Sequence, residues 1–435
     1  MKRFILFFLV LIALVFTEVP NARALELPSI ERAASDYHAT DPHLQAMFRA
    51  ALLDTGKLAR YAPDGTAYVA TGDIPAEWLR DASAQSRPYL FFAKDDPVVR
   101  KLLAAIIARM AKYLQIDPYA NAFTLDYRVW EQKFELDSLA YPVTLSWSYW
   151  KTTGDPSIFT PDFAKALDNV LATMEREQNH AKNSSYKHPE LFNGTGRPVG
   201  YTGMIWTGFR PSDDASYYNY LIPSEMMAVV ALGDIAQIER DVYRNVIKAH
   251  EATALRDEVQ RGIQTYGLVY VPKYGYIYAY EVDGLGHAIL TDDANIPSLL
   301  SAPYIGYTTT NDRFYQNTRR FLLSADNPSY YVGKVARGIG SFHTPDGWIW
   351  PLALVMQGLT ASSTGEKQDI LTQILASDPG DHLLHESFDP DDAKRYTRPD
   401  FGWPNALFSE FVMTSFEGVP EIPMGNTNDL EFRSE

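Results

Sequence analysis

The 435-residue chain contains no cysteine, so disulfides and thiolate metal sites are excluded and an apolar core must hold the fold unaided. It has no Lys/Arg-rich block either. With a formal net charge of −15 it offers neither nucleic acid nor an anionic membrane surface a complementary field. Beyond the first residues no run is apolar and uncharged for long enough to span a bilayer. The nucleophile elbow GxSxG, the phosphate loop GxxxxGK[ST], the zinc motif HExxH and the EF-hand spacing are all missing, and Asp389, Asp391 and Asp392 cluster without a metal-binding pattern. Neither a metal nor a cofactor is expected. No Pro/Ser/Gly-rich linker and no internal repeat divides the chain, which reads as one catalytic-size domain.

Lys2 and Arg3 precede an apolar run from Phe4 to Phe16, and Ala22-Arg23-Ala24 supplies small residues where a signal peptidase reads. Residues 1–24 are therefore expected to be an export signal, cleaved near Ala24. The mature chain is expected outside the cytoplasm, secreted or periplasmic, and free of the membrane. Helical periodicity dominates the remainder of the chain. Leu102, Leu103, Ile106, Ile107, Met110 and Leu114 form one stripe, and Phe163, Leu167, Val170, Leu171 and Met174 another. Similar patterns predict helices near 42–56, 134–151, 223–236, 239–265, 310–323, 348–361, 365–376 and 403–415, giving about a dozen in an all-α fold. The alternation in YVPKYGYIYAYEVDG, residues 270–284, predicts one β-hairpin insertion.

The connections hold the chemistry. TGMIWTGFRPSDDASYYNYLIP, GHAILTDDANIPSLLSAPY, GIGSFHTPDGW and HESFDPDDAKRYTRPDFGWPN concentrate Asp, Glu, Trp, His and Arg among Gly and Pro. If helices alternate up and down in a ring, every second connection falls on one face. Carboxylates among aromatics and arginines are the equipment of glycoside hydrolysis, which needs one carboxyl protonated and another ionised across the scissile bond. Asp213 and Asp214 are adjacent like charges, a setting in which one pKa rises, and Glu386 lies in the late acidic loop. The 8 Trp and 27 Tyr supply flat faces with polar rims that suit sugar rings as well as a core. Arg80 and Asp81, in the WLRD run of TGDIPAEWLRDASAQSRPYL, read either as an ordinary salt bridge or as a donor fork beside two acceptor oxygens, a grip for adjacent hydroxyls.

Five stretches, TGDIPAEWLRDASAQSRPYL, VWEQKFELDSLAYP, GFRPSDDASYYNYLIPSEM, TDDANIPSLLSAPYIGY and GIGSFHTP, resemble in order and spacing the motifs of the metal-independent exo-α-1,6-mannosidases, glycoside hydrolase family 125. The resemblance runs from about residue 40 to 415. It implies an (α/α)6 barrel of six inner and six outer helices, and removal of terminal α-1,6-linked mannose from a glycan with inversion and without metal. Asp213 is then the general acid, with Asp214 less favoured, and Glu386 the general base, with Glu410 its rival. Arg80 and Asp81 would grip the terminal sugar, with Trp78 and Gln85 beside them. Glu135, Asp137, Arg210, Asp293, Asn295, His343, Arg398 and Trp403 complete the implied pocket. An α-glucosidase or trehalase-like barrel enzyme, or a carbohydrate-binding protein without catalysis, would share the scaffold. Residues 419–435, after Gly418, are polar and depart from the family pattern; they are expected to be extended or disordered. The oligomeric state is left open.

Overall fold

The computed structural model describes residues 25–425. The predicted export signal and residues 426–435 of the tail lie outside the described residues. The helices are α1 (Pro28–Asp36), α2 (Pro42–Leu58), α3 (Leu79–Ser86), α4 (Leu90–Ala93), α5 (Pro97–Ile116), α6 (Leu136–Thr153) and α7 (Pro161–Glu177) in the first part of the chain. They continue as α8 (His180–Asn183), α9 (Ile222–Ile238), α10 (Val246–Tyr266), α11 (Arg313–Leu322), α12 (Pro351–Leu359), α13 (Thr364–Ala376) and α14 (Gly402–Ser415).

They form an all-α toroid. α3, α6, α9, α12 and α14 are buried around nearly their whole circumference, as inner helices must be. The chain passes from α3 to α6 and on to α9 as neighbours, while α12 packs on α14 and α14 returns to pack on α3. Five of the inner helices are regular, and the turns around residues 299–307 are largely buried, with the Tyr304 hydroxyl meeting Arg87 just after α3 and Glu410 on α14. Outside, α2 backs α14, α5 and α7 back α6, α10 backs α9, and α13 backs α12.

The two rings start their helices differently. Outer helices carry side-chain caps: Asp41 for α2, Asp96 for α5, Thr160 for α7, Asn245 for α10, Asp312 for α11 and Ser363 for α13. The five inner helices have none, and the residues at their cap positions are Trp78, Glu135, Leu221, Trp350 and Phe401. An uncapped helix start leaves N–H groups and a positive dipole end free to face other partners. Several of these starts meet at one mouth of the ring, which is the convergence expected of alternating helices.

Both predicted stripes are buried as read. The helix predicted over 239–265 is instead interrupted: a π-turn spans Glu239–Tyr243, Arg244 takes a left-handed φ of 59°, and Asn245 caps a fresh start by accepting from the Lys248 N–H. No glycine marks that turn, so periodicity ran across it. The predicted hairpin is real but shorter, Leu268–Val271 pairing antiparallel with Gly275–Tyr278. Glu281–Val282 belongs to a separate small sheet with Tyr220–Leu221 and Ala288–Ile289. Other connections form further two- and three-stranded sheets from strands of two to six residues, too short to show alternation in sequence.

The tail after Gly418 forms no helix or strand over residues 419–425 and is docked. Met424 is buried, the Ile422 carbonyl accepts from Arg87, and the Pro423 carbonyl accepts from the Ser148 hydroxyl.

Candidate active site

Arg80 sits on the first turn of α3, a buried cation ringed by four carboxylates. Its Nη1 lies 2.6 Å from Glu135 and 3.5 Å from Asp137, both at the start of α6; its Nη2 lies 3.4 Å from Asp213, and its Nε 3.3 Å from Asp81. The Trp403 ring of α14 covers the guanidinium at 5.7 Å. One positive charge cannot balance four negative ones in a buried cluster, so protons must enter. Burial, only partly offset by Arg80, raises Asp81 and Asp137 to about 6 each. Glu135 is pushed well above the carboxylate range, by burial first and then despite Arg80 by its neighbours Asp213 and Asp137.

Asp213 behaves oppositely. Burial works to raise it, but Arg80 and a hydrogen bond from Glu135 outweigh burial and leave it below its ordinary value. Glu135 Oε1 meets no N–H or O–H donor, which suits an oxygen that itself carries the proton given to Asp213. The acidic neighbour that matters to Asp213 is thus Glu135, a hydrogen-bond donor to it, not the adjacent Asp214 that sequence suggested. The chain turns between them: Asp213 has a left-handed φ of 66°, uncommon for a non-glycine residue though better tolerated by aspartate than by most, pinned by the Asp213 N–H to Arg210 carbonyl bond and by the Arg210 N–H to Asp214 carbonyl bond. Asp214 is sent toward His343, 3.6 Å away, and the pairing with that carboxylate lifts His343 to about 9.

Glu386 lies just ahead of the strand Ser387–Asp389, which pairs with Asp392–Thr397. Burial raises its carboxyl, while Arg398 at 3.8 Å restrains the rise. Arg398 also binds Asp73 through Nε and Nη2, at 2.9 and 2.6 Å. Trp78, Arg80, Asp81, Asp213, Asn295, His343, Glu386, Arg398 and Trp403 line one cavity of about 280 Å³. Two carboxyls on one cavity, one of them backed by the raised acid Glu135, with aromatic walls and a second arginine, are equipped to protonate a leaving oxygen and to activate water.

The family model for the metal-independent α-mannosidases, glycoside hydrolase family 125, matches residues 41–413. The chain belongs to that family. A Streptococcus pneumoniae member of the metal-independent α-mannosidases, solved as a non-productive complex with α-1,6-mannobiose, is 41% identical with a TM-score of 0.85, covering 89% of this chain and 96% of its own. The meiotically up-regulated gene 157 protein of Schizosaccharomyces pombe is 37% identical over 402 residues, 83% of this chain and 79% of the relative. A bacterial glucoamylase solved with acarbose shares the fold alone, at 13% identity and a TM-score of 0.62 over 85% of this chain and 55% of its own.

Not every residue singled out in the sequence reaches the mannosidase cavity. Glu135 and Asp137 act one layer behind, through Arg80. Asp293 braces Asn295, accepting from its amide at 2.9 Å and from the Ser341 hydroxyl at 2.9 Å. Arg210 is taken up by Glu281 at 2.6 Å, whose other oxygen accepts the Tyr217 and Tyr218 N–H groups; it stiffens the Asp213 loop from outside. Gln85 lies a turn beyond Asp81, buried against Gly402, and does not line the cavity. Glu410 is held by Arg87 at 3.1 Å and Tyr304 at 3.0 Å, away from the cavity lining. Sequence reasoning missed Asn121, whose amide donates to Asp213 at 3.1 Å and to Glu131 at 2.9 Å. It also missed Asp73. Asn121 falls outside the five stretches and Asp73 lies unremarked inside the first; each is placed by pairing between segments remote in sequence.

The wall bearing Asp73 depends on a close approach. Gly72 bridges Phe401, and the Gly402 N–H donates to the Thr71 carbonyl. A Cβ at Gly72 would lie 2.2 Å from the Asp400 carbonyl oxygen, and its φ of 141° disfavours any side chain. Gly72→Ala is expected to cost about 2 kcal/mol of stability and to lower turnover by shifting Arg398. Thermal melts and initial rates check this, and an unchanged Tm would show that the two loops separate freely.

Proposed function

We propose that this α-mannosidase removes single, non-reducing terminal α-1,6-linked mannose residues with inversion, with Asp213 as general acid and Glu386 as general base. The observation that carries the proposal is the placement of Asp213 and Glu386 on one cavity whose volume, about 280 Å³, is small for an oligosaccharide and suited to one sugar ring. The α-1,6-mannobiose bound to the Streptococcus pneumoniae relative supports the linkage.

In this reading a water molecule attacks the anomeric carbon from the Glu386 side and surrenders its proton to that carboxylate. The bond from the anomeric carbon to the bridging oxygen breaks, and the departing oxygen takes a proton from Asp213. Inversion requires the two carboxyls to stand roughly 6.5–9.5 Å apart, leaving room for that water. The proton for Asp213 comes from Glu135 across their hydrogen bond, so substrate that displaces Arg80 from Asp213 moves the proton toward the leaving oxygen. Asp81, Arg80 and Asn295 are assigned to the hydroxyls of the terminal mannose, and contacts so far from the bond convert binding into rate by fixing geometry. The leader read in residues 1–24 assigns the enzyme to the periplasm or the exterior.

Proton NMR of α-1,6-mannobiose digestion in the presence of EDTA tests the proposal. β-Mannose is expected as the first anomer, with the rate unaffected by the chelator. Early α-mannose would overturn inversion, and an intact disaccharide would overturn the linkage.

A further inference from the structure

Away from the cavity, three ligating side chains converge between the first turn of α2 and the connection that follows α13. His43 Nε2 lies 2.6 Å from Asp378 Oδ2, and His382 Nδ1 lies 3.1 Å from the same oxygen. All three ligating atoms fall within 4.8 Å of one another. Asp378 is held in one orientation, because its other oxygen, Oδ1, accepts the backbone N–H groups of Gly380 at 2.8 Å and His382 at 3.0 Å, so Oδ2 is left pointing at the two rings. The His382 backbone adopts a left-handed φ of 68°, which folds its ring back over Asp378. The carboxylate is 1% exposed while the two rings are 39% and 47% exposed, so an ion has a solvent route in and water has room to complete its shell.

We infer that His43, Asp378 and His382 bind a divalent transition-metal ion of the zinc class as a structural clip. Two imidazoles and one carboxylate are a zinc-type donor set. Ligands at 2.0–2.2 Å from a tetrahedral ion stand about 3.3 Å apart, so the separations to Oδ2 need only small outward movements of two exposed rings. The clip joins residues 335 positions apart in sequence, α2 to the segment that runs four residues from His382 to Glu386. None of the three residues lines the cavity, so the ion takes no part in turnover. Spacing could not reveal it, because one histidine lies at the start of the domain and the other near its end.

The test uses the full chain with any affinity tag removed, stripped with EDTA and dialysed, then titrated with zinc chloride and, separately, cobalt chloride. One zinc per chain, a Tm raised by about 3 °C at saturation, and a visible cobalt absorption of tetrahedral intensity are expected. His382→Ala and His43→Gln should each weaken zinc binding at least tenfold while keeping mannobiose turnover. Zinc uptake unchanged in both variants, or a Tm that zinc does not move, would reduce the cluster to a hydrogen-bonded latch and overturn the inference.

Discussion

Asp213→Asn is expected to slow hydrolysis of α-1,6-mannobiose about 1,000-fold, within the usual range for loss of a positioned acid. The same variant should lose far less on 2,4-dinitrophenyl α-mannoside, whose leaving group departs without a proton. The contrast arises because asparagine keeps the Asn121 hydrogen-bonding position but can neither receive the Glu135 proton nor release one. Glu386→Gln should be slow on both substrates, since attack by water is impaired whatever departs. Initial rates on the two substrates decide the matter, and equal losses for Asp213→Asn would remove it as the acid. The wild-type pH profile is set by the same groups. Activity should fall as pH drops through the raised value of Glu386, because the base becomes protonated. It should fall again as pH rises through the higher value of the Glu135–Asp213 pair, because their shared proton is lost.

Arg80→Met is expected to destabilise the folded enzyme by about 3–5 kcal/mol at pH 8, the cost of leaving buried carboxylates without their cation. The loss should be pH-dependent in a defined direction. Asp81 and Asp137 titrate in the folded protein near 6, above the ordinary 3.8 of an unfolded aspartate. The stability these groups contribute is therefore fully present below about pH 4 and is lost as pH rises through 6. Removing Arg80 raises them further, so the variant should melt close to wild type at pH 4.5 and far below it at pH 8. Scanning calorimetry at the two pH values measures this, and an equal drop at both would mean that packing under Trp403, not charge, is what Arg80 supplies.

Legibility in the sequence depends on physical scale. The stripes at 102–114 and 163–174 were legible because a helix face repeats over several turns, whereas the two-ring arrangement was implied only by the family resemblance and the short inner helix α3 escaped periodicity. The family motifs led to Asp213, Glu386, Arg80 and Asp81, and the cavity gathers all four. Whatever depends on one residue meeting another across the ring was hidden. The proton partner of Asp213 is Glu135, far back in the chain, whereas adjacency pointed to Asp214, which the left-handed turn sends away to His343. Arg210 and Gln85 sit beside motif residues in sequence, yet their side chains face Glu281 and Gly402. The Arg80 pair proved to be a hub for four acids rather than a simple two-residue fork, because α6 brings Glu135 and Asp137 against it.

The wall of the cavity is sewn from the two ends of the domain. Thr71–Asp73 meets Arg398–Gly402 across 325 residues, and Trp403 closes over Arg80 from the last helix. A nascent chain leaving the ribosome can stack its earlier helices as they appear, since those contacts are mostly between neighbours. It has no complete cavity until Arg398 and Trp403 have emerged and found α3. Contacts of such long sequence separation form late, so catalytic competence arrives as the final event of folding and is the first property a shortened chain forfeits.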